Sequence, residues 1–412
     1  MTNLEILIQE LCPDGVEFRT MEEVFEIRNG YTPSKNNPDF WEGGTIPWFR
    51  MEDIRQNGRI LSDAIQHITP AAIKGKGLFP ANSIIIATTA TIGEHALVIA
   101  DSLANQRFTN LVVRKSLSAC LLPKFVFYYM FVIDEWCKKN VNAGNFASVD
   151  MKRFKKLEFP LPPIEVQTEI VRILDKFTSL EAELEAELDC RKRQYEYYRD
   201  KLLSFENVGG QEVEWKKMSE VGTFIRGNGL QKKDFTESGV GCIHYGQIYT
   251  KFNTFTDKTL TYCSENVARK LTPVHPGDLI IACTSENVED VCKTVAWLGK
   301  EDIVTGGHAC VFSHHENPKY IAYLLQTENF FQQKKKYARG VKVIDIKVAD
   351  LQKITLPIPS LEEQQRIVSI LDRFESLTTS LQSGFPAEIA ARRQQYEHYR
   401  DKLLTFKRKG AA

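Results

Sequence analysis

The sequence predicts an α+β fold in which two pseudo-symmetric α+β modules are joined by two long antiparallel coiled-coil helices. Three observations lead there. The chain repeats itself at a fixed offset of 197 residues, its segments at 16–24 and 161–177 returning at 213–221 and 358–374. A narrow apolar stripe advances in steps of three and four from Ile170 to Phe205, which marks a long helix with one seam. Between these frame segments lie short β-branched runs punctuated by Gly and Asn, the pattern of strands and their turns.

The elements follow in order. Residues 1–156 form the first module, with "NSIIIATTATIG" and "TNLVVRK" as strands and "KFVFYYMFVIDEWCKK" as its closing helix. The first spacer helix occupies 157–206. Pro162 and Pro163 suit its start, and Ile170, Ile173, Phe177, Leu180, Leu184 and Leu188 are followed on the same stripe by Tyr195, Tyr198, Leu202 and Phe205. Unbroken from 164 to 205, it is about 60 Å long at 1.5 Å per residue. Residues 207–353 form the second module, with "PGDLIIACTS" and "GGHACVFS" as strands and "KYIAYLLQTENFFQQKKK" as its closing helical stretch. The second spacer helix, 354–412, carries Ile367, Ile370, Phe374, Leu377 and Leu381, then meets "SGFPAEI", where Gly384 and Pro386 are expected to break it.

The repeat is strict in the frame and loose elsewhere. "LPPIEVQTEIVRILDKF" meets "IPSLEEQQRIVSILDRF" with identical residues at Pro162, Gln167, Ile170, Ile173, Leu174, Asp175 and Phe177. By contrast "GYTPSKNNPDFWEGGTIPWFRMEDI" has only a loose counterpart in "GNGLQKKDFTESGVGCIHYGQIYT". A frame that does one job twice, carrying modules with two related but different jobs, has this form. "QYEYYRDKLLSF" at 194–205 returns as "QYEHYRDKLLTF" at 395–406, where the offset has become 201. The four added residues are about one helical turn, so the tyrosines keep their face.

Composition narrows the function. At 412 residues the chain exceeds a single core of roughly 250–300 residues, in agreement with two modules. Its 53 basic and 53 acidic side chains cancel, which excludes a surface that coats nucleic acid throughout and leaves local patches. These are Lys138 and Lys139; Lys152, Arg153, Lys155 and Lys156; and Lys334, Lys335, Lys336, Arg339, Lys342 and Lys347. No apolar run approaches the roughly 18–20 residues of a membrane span, and the start lacks a secretory pattern, so a cytoplasmic location is expected. Nine cysteines without a C-x-x-C pair read as reduced core thiols.

Catalytic signatures are missing. No G-x-x-x-x-G-K-[ST] loop is present, so ATP hydrolysis is not expected of this chain. "NNPDFW" at 36–41 is only superficially like the loop of an adenine methyltransferase, since Asp39 stands where a second proline belongs, and it reads as an Asn-Pro turn. His314, His315 and Glu316 read as a loop, because adjacent residues on a strand face opposite ways. Two divergent modules held apart by helices suit a bipartite target, and DNA sites about 34 Å apart fall on one face of the duplex. A coiled-coil adaptor without DNA binding and a stand-alone methyltransferase are the alternatives.

These segments together resemble the specificity (S) subunit of type I restriction-modification systems. The likeness spans essentially the whole chain and rests on "ELCPDGVEF", "GYTPSKNNPDFWEGGTIPW", "GLQKKDFTESGVGCIHYGQIYT", the pair "FPLPPIEVQTEIVRILDKF" and "LPIPSLEEQQRIVSILDRF", and the two "QYEYYRDKLL"-type helices. The resemblance implies two target recognition domains, 1–156 and 207–353, each reading one half of a bipartite asymmetric DNA site. It also implies spacer helices that set the separation and dock two adenine methyltransferase (M) subunits, with motor-nuclease (R) subunits completing the complex. The chain itself is then not an enzyme and holds no metal or cofactor; S-adenosylmethionine, ATP and Mg are expected in the partner subunits.

Polar and basic residues flanking the expected turns are the candidate contacts to double-stranded DNA. In the first domain these are Arg50, Arg55, Lys74, Lys76, Gln106, Arg107, Asn110, Lys138 and Lys139. In the second they are Arg226, Lys232, Lys233, Tyr245, Gln247, Lys251, Ser285, Arg339 and Lys342. Tyr195, Tyr198, Leu202, Phe205, Tyr396, Tyr399, Leu403 and Phe406 are expected in the helix seam or in methyltransferase docking.

Overall fold

The structure, a computed structural model, describes residues 3–75, 77–142, 147–205, 213–379 and 384–410. The chain divides into two compact units, Met1–Ala182 with Ala391–Ala412, and Glu183–Ala390. The division falls within the long helix Ile164–Ser204, so each unit takes one part of it.

In the first unit, "SIIIA" at Ser83–Ala87 is buried along its whole length and forms the middle of a five-stranded sheet. The strand order is Phe25–Asn29, Phe108–Val113, Ser83–Ala87, His95–Val98, Ile60–Leu61, antiparallel except for the last pair. Alternation along a strand sends successive side chains to opposite faces. Ile84 and Ile86 accordingly join the core under the helix Pro123–Lys139, while Ile85 and Ala87 pack with Trp48 and Phe49 of a small second sheet. That sheet orders His67–Ile68, Ile46–Phe49 and Leu103–Ala104.

The second unit repeats the plan. Gly222–Arg226, Ala309–His314, Leu279–Ala282, Thr294–Trp297 and Phe255–Thr256 form its central sheet, again with only the last pair parallel. Leu279 and Ile281 face the helical layer, and Ile280 and Ala282 face the other way. Its second sheet has five strands, because Phe235–Thr236 and Thr272–Val274 are added at the two edges. The closing helical stretch comprises two helices, Pro318–Leu324 and Glu328–Lys335, since Thr327 caps the second by accepting from the Phe330 N–H.

The frame repeats residue for residue. Glu17–Thr20 pairs with Glu158–Leu161, and Glu214–Lys217 pairs with Thr355–Ile358 in the same register, each residue displaced by 197. The repeated glutamines explain themselves as clips. Gln167 is fully buried; its Oε1 accepts from the Leu122 N–H and its Nε2 donates to the carbonyls of Cys120 and Pro162. Gln364, also fully buried, accepts from the Asn317 N–H and donates to the Pro359 carbonyl and to Glu316. Each spacer helix is thus fastened to its module by an amide with both ends engaged.

The repeated aspartates add a second fastening. Asp175 accepts from Lys124 Nζ and the Tyr128 hydroxyl, and Asp372 from Lys319 Nζ and the Tyr323 hydroxyl. Two residues on, Phe177 stacks on Tyr399 with ring centroids 5.5 Å apart, while in the other unit Phe374 stacks on Tyr198 at 6.1 Å. In the first unit Glu181 also pairs with Arg393, so the two helix segments run antiparallel there.

The second spacer helix comprises Leu361–Thr379 and Phe385–Leu403. Gly384 takes φ +82°, whereas Pro386 lies in the first turn of Phe385–Leu403, where its missing N–H costs no bond. Pro386 therefore opens a helix instead of breaking one, and Leu381 lies outside the described residues. Seven cysteines are buried; Cys120 and Cys190 are exposed. Asn37 caps the 3-10 turn Pro38–Phe40, so "NNPDFW" is an Asn-Pro turn. No helix among the described residues is long and apolar enough to cross a membrane.

Candidate nucleic-acid interface

In each unit the same backbone bonds gather loops at one end of the central sheet. In the first, Thr88 N–H donates to Arg107 O, Val149 N–H to Thr88 O, and Asn105 N–H to Phe49 O. These bonds bring Arg50, Gln106, Arg107 and the strand Ser148–Val149 to a common rim. In the second, Cys283 N–H donates to His308 O and Ile346 N–H to Cys283 O. Thr284 and Ser285 pair with Asp345 and Ile344, which completes the same arrangement. Ala90 and His308 stand on these rims with φ near +67° and +66°, a conformation rarely adopted by residues other than glycine.

Several expected contacts lie on the rims. Arg107 is exposed, and Gln106 accepts from the Thr32 hydroxyl at 2.5 Å. The Arg50 guanidinium lies 6.0 Å from the Trp48 ring centre and 3.9 Å from Glu52. Arg226 reaches Asp345 at 4.0 Å, the Tyr245 ring lies 4.9 Å from His308, and Ser285 lines the same cleft as Tyr245. Arg339 and Lys342 belong to a hairpin closed by two backbone bonds between Arg339 and Asp345.

Others are elsewhere or otherwise engaged. Asn110 is fully buried, its Nδ2 donating to Ser83 Oγ and to the Ile84 carbonyl, so it is a core residue and no contact to DNA. The Gln247 amide is committed within its own unit: Oε1 accepts from the His244 N–H as a helix cap, and Nε2 donates to Thr261 at 3.3 Å. Lys138 pairs with Glu135 at 2.7 Å and packs beside Gly93. Arg55, Lys74, Lys139, Lys232, Lys233 and Lys251 are exposed, and Lys76 lies outside the described residues. Val341 and Val343 of the hairpin have no polar side chain, and so escape a search for basic and amide side chains, whereas His308 follows a Gly-Gly turn and is open to that search.

The seam residues are placed unevenly. Tyr195 is buried with its hydroxyl lacking a partner among the described residues, and burial raises its pKa above the usual phenol value. Tyr396 is pushed up to about 12, by burial first. Tyr198 and Tyr399 are over a third exposed while stacking on phenylalanine. The deepest positions belong to Leu203 and Leu404, next to the expected Leu202 and Leu403, which are only partly buried. Phe205 and Phe406 follow the helix ends and still pack against the cores. Tyr197, Tyr198, Lys201, Leu202, Phe205 and Arg366 line an open cleft of about 1040 Å³ in the second unit.

Comparison with known proteins agrees with this geometry. The sequence profile of the type I restriction modification DNA specificity domain matches twice, at residues 13–189 and 211–391. The Type I restriction enzyme EcoprrI specificity subunit of Escherichia coli is 40% identical over 403 residues, 92% of each chain. The EcoR124I/EcoR124II specificity subunit of Escherichia coli is 35% identical over 302 residues, covering 69% of this chain and 71% of that one. A chain solved in work on complex assembly and conformational transition of the type I R-M system shares the fold, with TM-score 0.64 at 16% identity over 95% of this chain and 97% of its own. The chain belongs to the type I restriction-modification specificity family, as a DNA-binding specificity subunit with two recognition domains.

Proposed function

We propose that this chain is the non-catalytic subunit that selects the target of a type I complex, each domain reading one half of a bipartite, asymmetric sequence in double-stranded DNA. The spacer helices fix the gap between the half-sites and dock two adenine methyltransferase subunits, and motor-nuclease subunits join them in the full complex. S-adenosylmethionine, ATP and Mg belong, on this reading, to those partners. The observation that carries it is the contrast between frame and rim. Gln167, Asp175 and Phe177 repeat their contacts as Gln364, Asp372 and Phe374, whereas Arg50, Gln106 and Arg107 have no matching side chains on the second rim. Identical docks and unlike readers are what two copies of one partner on one asymmetric site require. The open cleft beside Tyr197 and Tyr198 supports a partner on the spacer helix.

The test is to co-express the chain with its methyltransferase subunit and map methylated adenines across the host genome by single-molecule sequencing. The expected result is one motif of two specified blocks with a fixed unspecified gap. Methylation lacking such a motif, or unchanged when this chain is deleted, overturns the reading.

A further inference from the structure

The Arg339–Asp345 hairpin is built with unusual care for a surface loop. Arg339 and Asp345 exchange both backbone hydrogen bonds, at 3.1 and 2.8 Å, and Ile344 and Asp345 are laddered to Ser285 and Thr284 in a two-stranded sheet of their own. Gly340 takes φ +118°, and a Cβ there would lie 1.9 Å from the Val343 carbonyl oxygen, so only glycine closes this turn. All this fixes in place a tip that offers water two β-branched side chains: Val341 is 96% exposed and Val343 59%. Lys342 stands between them and makes no ion pair or hydrogen bond with a described residue. At the base of the hairpin Arg339 lies 3.9 Å from Asp350 and Arg226 4.0 Å from Asp345, while Lys347 is exposed. Behind the tip, Val343 shares an open cleft of about 530 Å³ with Tyr245, Tyr249, Ser285, Asn287 and His308.

A rigid finger with an apolar tip and a lone cation fits duplex DNA, the partner proposed above. The lysine suits a phosphate. Valine neither donates nor accepts hydrogen bonds, so on a base edge it can register only an apolar group, and in the major groove that group is the thymine 5-methyl. We propose that this hairpin is a base-reading finger of the second domain, with Val341 and Val343 reading a thymine methyl in the major groove and Lys342 holding the adjacent backbone. The inference rests on the proposed reading of half-sites by the two domains, and a half-site that contains a methylatable adenine necessarily contains a thymine opposite it.

The test uses the complex with its methyltransferase subunits and a short duplex carrying the mapped site, in which each thymine of the second half-site is replaced in turn by deoxyuridine. At one position the loss of the methyl weakens binding of the unaltered complex about fivefold, the size of one buried methyl contact. The same replacement costs nothing further in Val341→Ala or Val343→Ala, whichever residue makes the contact. Lys342→Gln weakens binding to every duplex alike and lowers the salt slope by about one. Deoxyuridine tolerated at every position, or losses in the valine variants that do not couple to any thymine, overturns the finger while specific binding by the unaltered complex leaves the half-site reading intact. Valine variants that shed the methyltransferase subunit at normal DNA affinity per assembled complex identify a protein-docking tip instead, and also overturn it. If the unaltered complex does not prefer the mapped site over a scrambled duplex, the half-site reading itself fails and the finger with it.

Discussion

The two units treat their repeated and their variable parts by different physics. Gln167 and Gln364 sit in the same register and satisfy the same kinds of backbone group, the N–H of a module segment and the carbonyl before the helix. The second sheets, by contrast, differ in size, three strands in the first unit and five in the second among the described residues. A buried amide tolerates little displacement, because each lost partner leaves an uncompensated polar group. An edge strand of two or three residues can be added or dropped without disturbing the central ladder. The frame is therefore held by directional bonds and the recognition layer by replaceable ones, which lets one scaffold carry two different readers.

The strongest way to break the comparison is to remove a clip. Gln167→Leu deprives the Leu122 N–H and the carbonyls of Cys120 and Pro162 of their partner, and Gln364→Leu does the same for Asn317, Pro359 and Glu316. Each substitution is expected to cost about 3 kcal/mol or more, since orphaned buried groups cost roughly 1–3 kcal/mol apiece. Chemical denaturation followed by tryptophan fluorescence measures it. Losses below about 1 kcal/mol in both variants would mean that apolar packing around the helix starts, not the amide, sets the frame.

A phenol sharpens the contrast between the units. Tyr128 donates to Asp175 and lies 3.4 Å from Thr178, whereas Tyr323 stands 2.7 Å from Asp372 and 2.6 Å from Glu375, the residue at Thr178's repeat position. Glu375 also accepts from the buried Thr254 hydroxyl. One hydroxyl thus joins two acidic groups in the second unit and one in the first. Tyr323→Phe is expected to destabilise by about 2–3 kcal/mol and Tyr128→Phe by about 1.5 kcal/mol, from hydrogen bonds to charged groups. Equal losses in thermal denaturation would remove the distinction.

Much of this was legible in the letters, and the limits have physical causes. The 197-residue offset announced Gln167, Asp175 and Phe177 with their partners, and the three-and-four stripe gave the helix Ile164–Ser204 to within a residue of the structure. Lys124 and Tyr128 are hidden from the 197-residue repeat because they recur as Lys319 and Tyr323 at an offset of 195, two short of the frame's. The stripe points to Leu202 and Leu403 instead of the deeper Leu203 and Leu404, since one step on a helix turns the side chain by about 100° and a long stripe blurs that difference. The chemistry of Asn110 and Gln247 suits a contact to DNA, yet a side-chain amide serves a buried ladder or a helix cap as readily as a base edge. The rims themselves depend on strands of two residues, Ser148–Val149 and Thr284–Ser285, too short to display alternation.

The insertion in the second spacer helix offers a smaller perturbation. Gly384 lies in the stretch where the second half carries four residues more than the first, takes φ +82°, and would hold a Cβ only 2.6 Å from the Leu377 carbonyl oxygen. Gly384→Ala is expected to cost about 1–2 kcal/mol through left-handed strain. The change of chain path is then a fixed turn, and a neutral substitution in the same denaturation assay would show instead that the turn adapts.

The smallest effect is electrostatic and separates the central sheets. Opposite Phe25 the first unit places Val113, and opposite Gly222, the repeat position of Phe25, the second places His314. Burial pushes the His314 imidazole down to about 4, against the weaker opposing pull of Asp278 and Glu316. Between pH 6.5 and pH 4 the unfolded chain then binds a proton at this residue that the folded chain does not. Its contribution to stability is complete above pH 6.5 and is lost as the pH falls. From pH 7 to pH 5 the loss is expected to reach about 1–2 kcal/mol, at roughly 1.4 kcal/mol per pH unit below 6.5. His314→Val, which installs the first unit's residue, should remove that part of the acid sensitivity and leave the part due to His95, whose pKa burial also lowers. Denaturation midpoints of the two proteins that stay parallel from pH 7 to pH 5 would show that His314 titrates as it does in the unfolded chain, and that the two sheets differ in packing alone.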